Sequence, residues 1–168
     1  AGKEVFTMRL FIAIRLSDGM QKALVSCMHD LKKQGVEGNY VPAQNLHMTL
    51  AFIGEYDDPG KVKEVIGKVP LPGFRLALSE KGNFGNILWA GVKGNQKLKS
   101  SVKELREALK ENGIPFENDR FVPHITLIRK ISAQKPYQVH LPKAEMAVER
   151  ASLMKSETKN GKVVYREL

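Results

Sequence analysis

The tetrapeptide His47-Met48-Thr49-Leu50 returns, at an offset of 77 residues, as His124-Ile125-Thr126-Leu127. This repetition constrains the fold more than any other feature of the chain. In a β-strand successive side chains point to opposite faces. Each histidine therefore shares a face with the threonine two residues on, while Met48 and Leu50, or Ile125 and Leu127, pack against the other. One copy alone describes a histidine satisfied by a hydrogen bond on a half-buried strand. The duplication says more. The same offset aligns Ala90 with Ala13, Trp89 with Ile12, Val102 with Val25 and Leu105 with Met28. Each half then reads as an apolar strand (Leu10 to Ile14, or Ile87 to Val92), a long helix and a His-x-Thr strand. An internal repeat of this kind implies two related lobes, each contributing half of one site.

The rest of the pattern supplies the other elements. Met8 to Leu16 is strand-like, and Ser17 or Asp18 can cap a helix whose apolar stripe ends before Gly35. Asn39 to Val41 reads as a short strand, followed by a turn over Pro42 to Asn45. Asp58-Pro59 starts a helix over Lys61 to Val69, with Val62, Val65, Ile66 and Val69 inward. Phe74 to Leu78 and Ile87 to Val92 form a hairpin around a Gly82 to Asn86 turn. A helix after Asn95 puts Leu98, Val102, Leu105 and Leu109 on one stripe and stops near Gly113. Pro115 to Arg120 leads to the second motif, and Lys143 to Leu168 forms strands meeting at Asn160-Gly161, a dipeptide suited to tight hairpins. No linker or low-complexity tract divides the chain, so residues 1–168 are expected to form one two-lobed domain. Ala1 to Thr7 reads as an added or flexible segment and enters no functional argument.

A neutral imidazole accepts a proton and an imidazolium donates one near neutral pH, so two facing histidines can supply both halves of general acid-base catalysis. Two threonine hydroxyls beside them can hold the oxygens of a phosphate. The other histidines fall outside this pattern: His29 lies with Lys22, Ser26 and Lys33 on the polar side of the first helix, and His140 on a solvent face. No Cys, Asp or Glu stands at ligand-like spacing beside His47 or His124, so no metal site is expected. Gly82-Asn83-Phe84-Gly85 precedes a strand rather than a helix, and neither a GxxxxGK[ST] loop nor a GxSxG elbow occurs. Cys27, among Met20, Leu24, Met28 and Leu31, reads as a core thiol, and Trp89 as a core ring. Phe52 and Arg129 each stand five residues after a motif histidine. Strict alternation turns them away from it, to a core Phe and a surface Arg, unless the strand bulges or ends there.

Taken with their flanks, these motifs resemble the two-histidine (2H) phosphoesterase superfamily, and within it the RNA 2',3'-cyclic phosphodiesterases once called 2'-5' RNA ligases. The resemblance runs through Arg9-Leu10-Phe11-Ile12-Ala13, Val41-Pro42-Ala43-Gln44-Asn45-Leu46-His47 and Phe52-Ile53-Gly54-Glu55. It continues through Leu88-Trp89-Ala90-Gly91-Val92, Phe121-Val122-Pro123-His124 and Leu153-Met154-Lys155-Ser156. It implies an α+β fold of two pseudo-symmetric lobes, each an antiparallel sheet backed by helices, around a central cleft. It also implies hydrolysis of the cyclic phosphate at an RNA end, without a cofactor, to a 2'-phosphomonoester. His47 would be the general acid and His124 the general base, an order the near-identical halves leave open on sequence alone. Thr49 and Thr126 would bind the phosphate, and Phe52 and Arg129 would lie near the substrate base. Joining of ends through a 2'-5' bond is chemically allowed.

With 27 Lys and Arg against 18 Asp and Glu, the formal charge of +9 favours a polyanionic partner. Aromatic residues at 7% leave little for an extended base-stacking platform. The expected partner is RNA with 2',3'-cyclic ends, tRNA fragments among the candidates. A monomer in the reducing cytoplasm is expected, with no membrane segment. Two alternatives remain: a 2H enzyme for another cyclic or 2'-5' phosphodiester, and a non-catalytic RNA-end binder. The intact histidines weigh against the second, because binding alone could use Arg or Lys.

Overall fold

The computed structural model describes residues 6–168, so most of the Ala1 to Thr7 segment lies outside the described residues. The chain runs β1 (Met8–Arg15), α1 (Asp18–Lys33), β2 (Glu37–Tyr40), a 3-10 turn (Ala43–Asn45), β3 (His47–Tyr56), α2 (Pro59–Lys68), β4 (Phe74–Phe84) and β5 (Ile87–Val92). It continues through α3 (Gln96–Glu111), β6 (His124–Ser132), β7 (Glu145–Val148), β8 (Ser152–Lys159) and β9 (Lys162–Glu167). Two antiparallel sheets result, ordered β3-β1-β8-β9 and β2-β6-β5-β4-β7. This is the α+β architecture of two antiparallel sheets and accompanying helices that the resemblance implies.

Each helix begins where a short polar side chain takes up a free backbone N–H. The Ser17 hydroxyl accepts from Met20, the Asp58 carboxylate from Lys61 and the Asn95 carbonyl from Leu98. The apolar stripes then choose the packing partner. Met20, Leu24, Cys27, Met28 and Leu31 are buried on α1, and Leu98, Val102, Leu105 and Leu109 on α3. The helices cross over: α1 touches β7 of the second sheet, whereas α3 touches β3 and α2 touches β8 of the first. The repeated helices α1 and α3 thus each meet the sheet of the other half's motif strand, while α2 stays with its own, and the inward side chains of both halves merge into one cluster, from Leu10 and Leu50 to Leu88 and Leu127. Val62 and Val65 of α2 are buried, with Ile66 and Val69 packed at the cluster's margin.

Three expectations change. β4 does not stop at Leu78 but continues to Phe84, leaving only Gly85-Asn86 as the turn, because the alternation resumes after an irregularity opposite β5. β2 starts two residues earlier than expected and ends at Tyr40. The offset of 77 also fails in the leading strands: Thr49 pairs with Ala13 and Thr126 with Trp89, a structural offset of 76. Trp89 is therefore the counterpart of Ala13, not of buried Ile12, and Val25 is exposed where Val102 is buried. The Asn160-Gly161 turn is as expected, both residues having positive φ (52° and 75°), as a tight hairpin of this handedness requires.

Candidate active site

β3 and β6 approach each other across the cleft between the sheets. Along β3, His47 and Thr49 are half-buried while Met48 and Leu50 are fully enclosed, and β6 repeats this with His124, Thr126, Ile125 and Leu127. Alternation then breaks at the same place in both strands. Opposite β1, the register moves from Thr49↔Ala13 to Ala51↔Ile12, leaving Leu50 as an extra residue; opposite β5, it moves from Thr126↔Trp89 to Ile128↔Leu88, leaving Leu127 extra. Two consecutive residues, Leu50-Ala51 and Leu127-Ile128, consequently enter the core. The bulge returns Phe52 and Arg129 to the face that carries the histidines, the exception that strict alternation left open; Phe52 is half-buried rather than a core ring, and Arg129 is exposed. Phe52 lies beneath Arg9, whose guanidinium carbon is 4.8 Å from the ring centre. It lines a recess of about 450 Å³ together with Thr49, His124 and Arg129. A larger recess of about 940 Å³ is lined by His47, Thr126 and, again, Arg129. Each recess thus holds the histidine of one motif and the threonine of the other, with Arg129 common to both.

Both imidazoles are tethered alike. His47 Nδ1 lies 2.7 Å from the Asn45 carbonyl and His124 Nδ1 lies 2.6 Å from the Val122 carbonyl. A carbonyl only accepts, so Nδ1 carries the hydrogen in each ring and Nε2 is left as the site of proton exchange. In His47 that Nε2 is 2.9 Å from the Thr49 hydroxyl, which donates to it when the ring is neutral. Burial, with smaller contributions from the charges of Arg129 and His124, holds the His47 pKa below the ordinary 6.5, against the raising effect of the Asn45 carbonyl.

Aromatic walls fix the ring planes. His47 stands 4.9 Å from Phe11 and 5.1 Å from Tyr165, and His124 stands 5.0 Å from Phe84 and 5.7 Å from Trp89. Trp89 is therefore a wall of the cleft rather than a core ring, the one-residue slip from the aligned Ile12 having changed its face. Phe84 also belongs here only because β4 extends so far. A methyl group on Gly82 would come within 2.2 Å of the indole, so this glycine makes room for Trp89.

The sequence reading passed over Asn45, Tyr165 and Arg106. Asn45, enclosed at 6% exposure, donates from Nδ2 to the Val163 carbonyl while its own carbonyl holds His47, so it joins the catalytic strand to β9. A buried amide two residues before a motif histidine was its available signal. Tyr165 packs edge-on against His47 and Phe11, and two residues on, the Glu167 carboxylate bonds Arg150 and Arg15; Arg150 above all, with Ser152 and Arg15, depresses its pKa to about 2. His29 and His140 are exposed, with His140 in a loop rather than on a strand. Cys27 is buried, and burial, with the Asp30 charge second, pushes its thiol up to about 11. Among the described residues no group of three or more His, Cys, Asp or Glu is placed to hold a metal ion, and no helix is long and apolar enough to cross a membrane.

Comparison with known proteins agrees with this geometry. A family model described as the 2'-5' RNA ligase superfamily matches residues 22–160. An RNA 2',3'-cyclic phosphodiesterase of Thermotoga maritima is 29% identical, the match covering 96% of this chain and 93% of its own. One from Methanocaldococcus jannaschii is 30% identical over 73% of this chain and 71% of its own. The crystal structure of Escherichia coli LigT with 3'-AMP superimposes with a TM-score of 0.83 at 29% identity, covering 96% of this chain and 95% of that one.

Proposed function

Because the chain belongs to the 2'-5' RNA ligase superfamily, we propose that it is an RNA 2',3'-cyclic phosphodiesterase, opening the cyclic phosphate at an RNA end with water and leaving a 2'-phosphomonoester. The observation that carries this reading is the matched tethering of the two imidazoles, each with Nδ1–H on a carbonyl two residues back, which leaves Nε2 as the nitrogen that exchanges a proton. Water attacks phosphorus as His124 Nε2 takes its proton. The P–O3' bond breaks as His47 Nε2–H protonates the leaving oxygen, so one new P–O bond replaces one old one and the proton count is conserved. Thr49 and Thr126 donate to the non-bridging oxygens, where negative charge gathers in the transition state. Phe52 and Arg129 offer a ring and a guanidinium to the base.

This order requires His47 to hold a proton that the empty cleft disfavours. The phosphodiester brings the compensation: its negative charge offsets that of Arg129 and raises the proton affinity of His47 when substrate is bound. With a 5'-hydroxyl in place of water, the same displacement joins two ends through a 2'-5' bond. The partners are RNA ends such as those of tRNA fragments. The protein acts as a metal-independent monomer in the cytoplasm, where its single buried thiol stays reduced.

The test is incubation of the pure protein with a short RNA ending in a 2',3'-cyclic phosphate, followed by phosphorus NMR and digestion with a 3'-specific phosphatase. A phosphatase-resistant monoester is the expected product. A predominantly 3'-phosphate product would reverse the assigned leaving oxygen, and tight binding of the end without turnover would establish the non-catalytic RNA-end binder instead.

A further inference from the structure

The bulges that turn Phe52 and Arg129 into the cleft are alike, but they are held by different means. In β6, the carbonyl of the extra residue Leu127 accepts the Val41 N–H at 2.9 Å, a bond that continues the pairing of β2 with β6. In the first sheet β3 is an edge strand, and no strand lies beyond it to serve the Leu50 carbonyl. A side chain takes that place. Arg106 of α3 donates to the Leu50 carbonyl from Nε at 3.1 Å and from Nη2 at 3.0 Å, and from Nη1 to the Asp119 carbonyl at 2.7 Å. Its Nη2 also lies 3.4 Å from the Asp119 carboxylate, and the guanidinium stands over Phe121, 5.6 Å from the ring centre. The connection to the second motif completes the edge, with the Glu117 N–H bonded to the Phe52 carbonyl at 2.8 Å.

We propose that Arg106 is a positioning residue for nucleotide binding, acting as the missing strand that locks the β3 bulge and keeps Phe52 on the cleft face. Although it borders the smaller recess, its side chain is only 15% exposed and its fork is committed to two carbonyls, so it orders the site rather than meeting substrate phosphate. His47 and Thr49 precede the bulge and keep their pairing with β1 through Arg15 and Ala13. Without the clamp, the strand regains plain alternation beyond Thr49, and alternation points Phe52 away. The effect should fall on KM rather than kcat.

This inference rests on the proposed phosphodiesterase reading, and a double-mutant cycle with Phe52 separates the two. With adenosine 2',3'-cyclic monophosphate as substrate, Arg106→Ala is expected to raise KM about tenfold with kcat within about threefold. In a Phe52→Ala background, the same change should raise KM by less than about twofold, because the residue it orients is gone. Arg106→Lys should fall between, since an ammonium offers point contacts in place of the fork. Folded Arg106→Ala with unchanged KM, a loss confined to kcat, or KM effects that multiply in the double mutant would each overturn the proposal. If Arg106→Ala does not fold, the cycle with Arg106→Lys decides. Absence of turnover by the wild type would refute the phosphodiesterase reading alone, and the cycle would then be read from calorimetric Kd values for adenosine 2'-monophosphate.

Discussion

The two motif strands carry the same chemistry on unlike supports. β6 lies inside its sheet with backbone neighbours on both sides, β2 and β5, whereas β3 runs along an edge closed by a guanidinium and a loop. Their histidines are walled differently as well. His47 has Phe11 and Tyr165 about it and a threonine hydroxyl on its reactive nitrogen; His124 has Phe84 and Trp89. The matched Nδ1 tethers, set in different packing, show that the repeat preserves backbone position. What it preserves is the spacing along the strand from imidazole to carbonyl, threonine and bulge, while the neighbours differ.

The comparison can be broken most directly at the histidines. If they divide one proton-transfer cycle, His47→Ala and His124→Ala should each cost on the order of 10²-fold or more in kcat/KM, and the double variant little beyond the worse single one. Near-normal turnover in either folded variant would end the symmetry of roles. Gly82→Ala tests the wall that only the second lobe possesses. Its methyl would displace the Trp89 ring beside His124, and thermal unfolding should report a loss of about 1–3 kcal/mol together with reduced kcat. A variant with wild-type melting and rate would mean that the indole has room elsewhere.

Finer asymmetries lie in the threonines and in the pH profile. Thr49→Ala and Thr126→Ala should each lower kcat about tenfold, the low end for one hydrogen bond to a charged oxygen, measured by steady-state kinetics. Only Thr49→Ala also removes a bond to a free-state imidazole. As a general acid, His47 must be protonated, so the rate falls as pH rises through its pKa. That pKa is depressed in the free protein, so the alkaline limb of kcat/KM should lie at lower pH than the limb of kcat, where bound phosphate raises it. Arg129→Ala, by removing one lowering charge, should move the kcat/KM limb upward. An alkaline limb that stays in place while the acid limb moves upward would make His47 the base and exchange the roles of the two lobes.

Most of the fold and the two histidine–threonine pairs were legible in the sequence because they depend on local periodicity. Apolar stripes identified α1 and α3, Ser17, Asp58 and Asn95 marked helix starts, and the His-x-Thr alternation placed both polar pairs. What escaped were interruptions of that periodicity. A bulge inserts one residue without any compositional mark, so strict alternation sent Phe52 and Arg129 to the wrong face, and the resemblance alone kept them near the site. Trp89 was misread for the related reason that one register step separates Ala13 from Ile12. Arg106 and Tyr165 act across long sequence separations, on the Leu50 carbonyl and on the His47 ring, and nothing in their own neighbourhoods points there; Asn45 stands two residues before a motif histidine, but its tie to the Val163 carbonyl is equally remote.

The placement of β8 between β1 and β9 has a consequence for biosynthesis. Arg9 pairs with Ser156 and Ile12 with Leu153, so β1 is synthesised long before β8, which pairs with it. Until then β1 offers an unpaired edge, and His47 lacks both Tyr165 and the Asn45–Val163 tie. An unfinished chain therefore holds both histidines in covalent sequence without the cleft that aims them. The surroundings of His47 are complete only once β9 has been made.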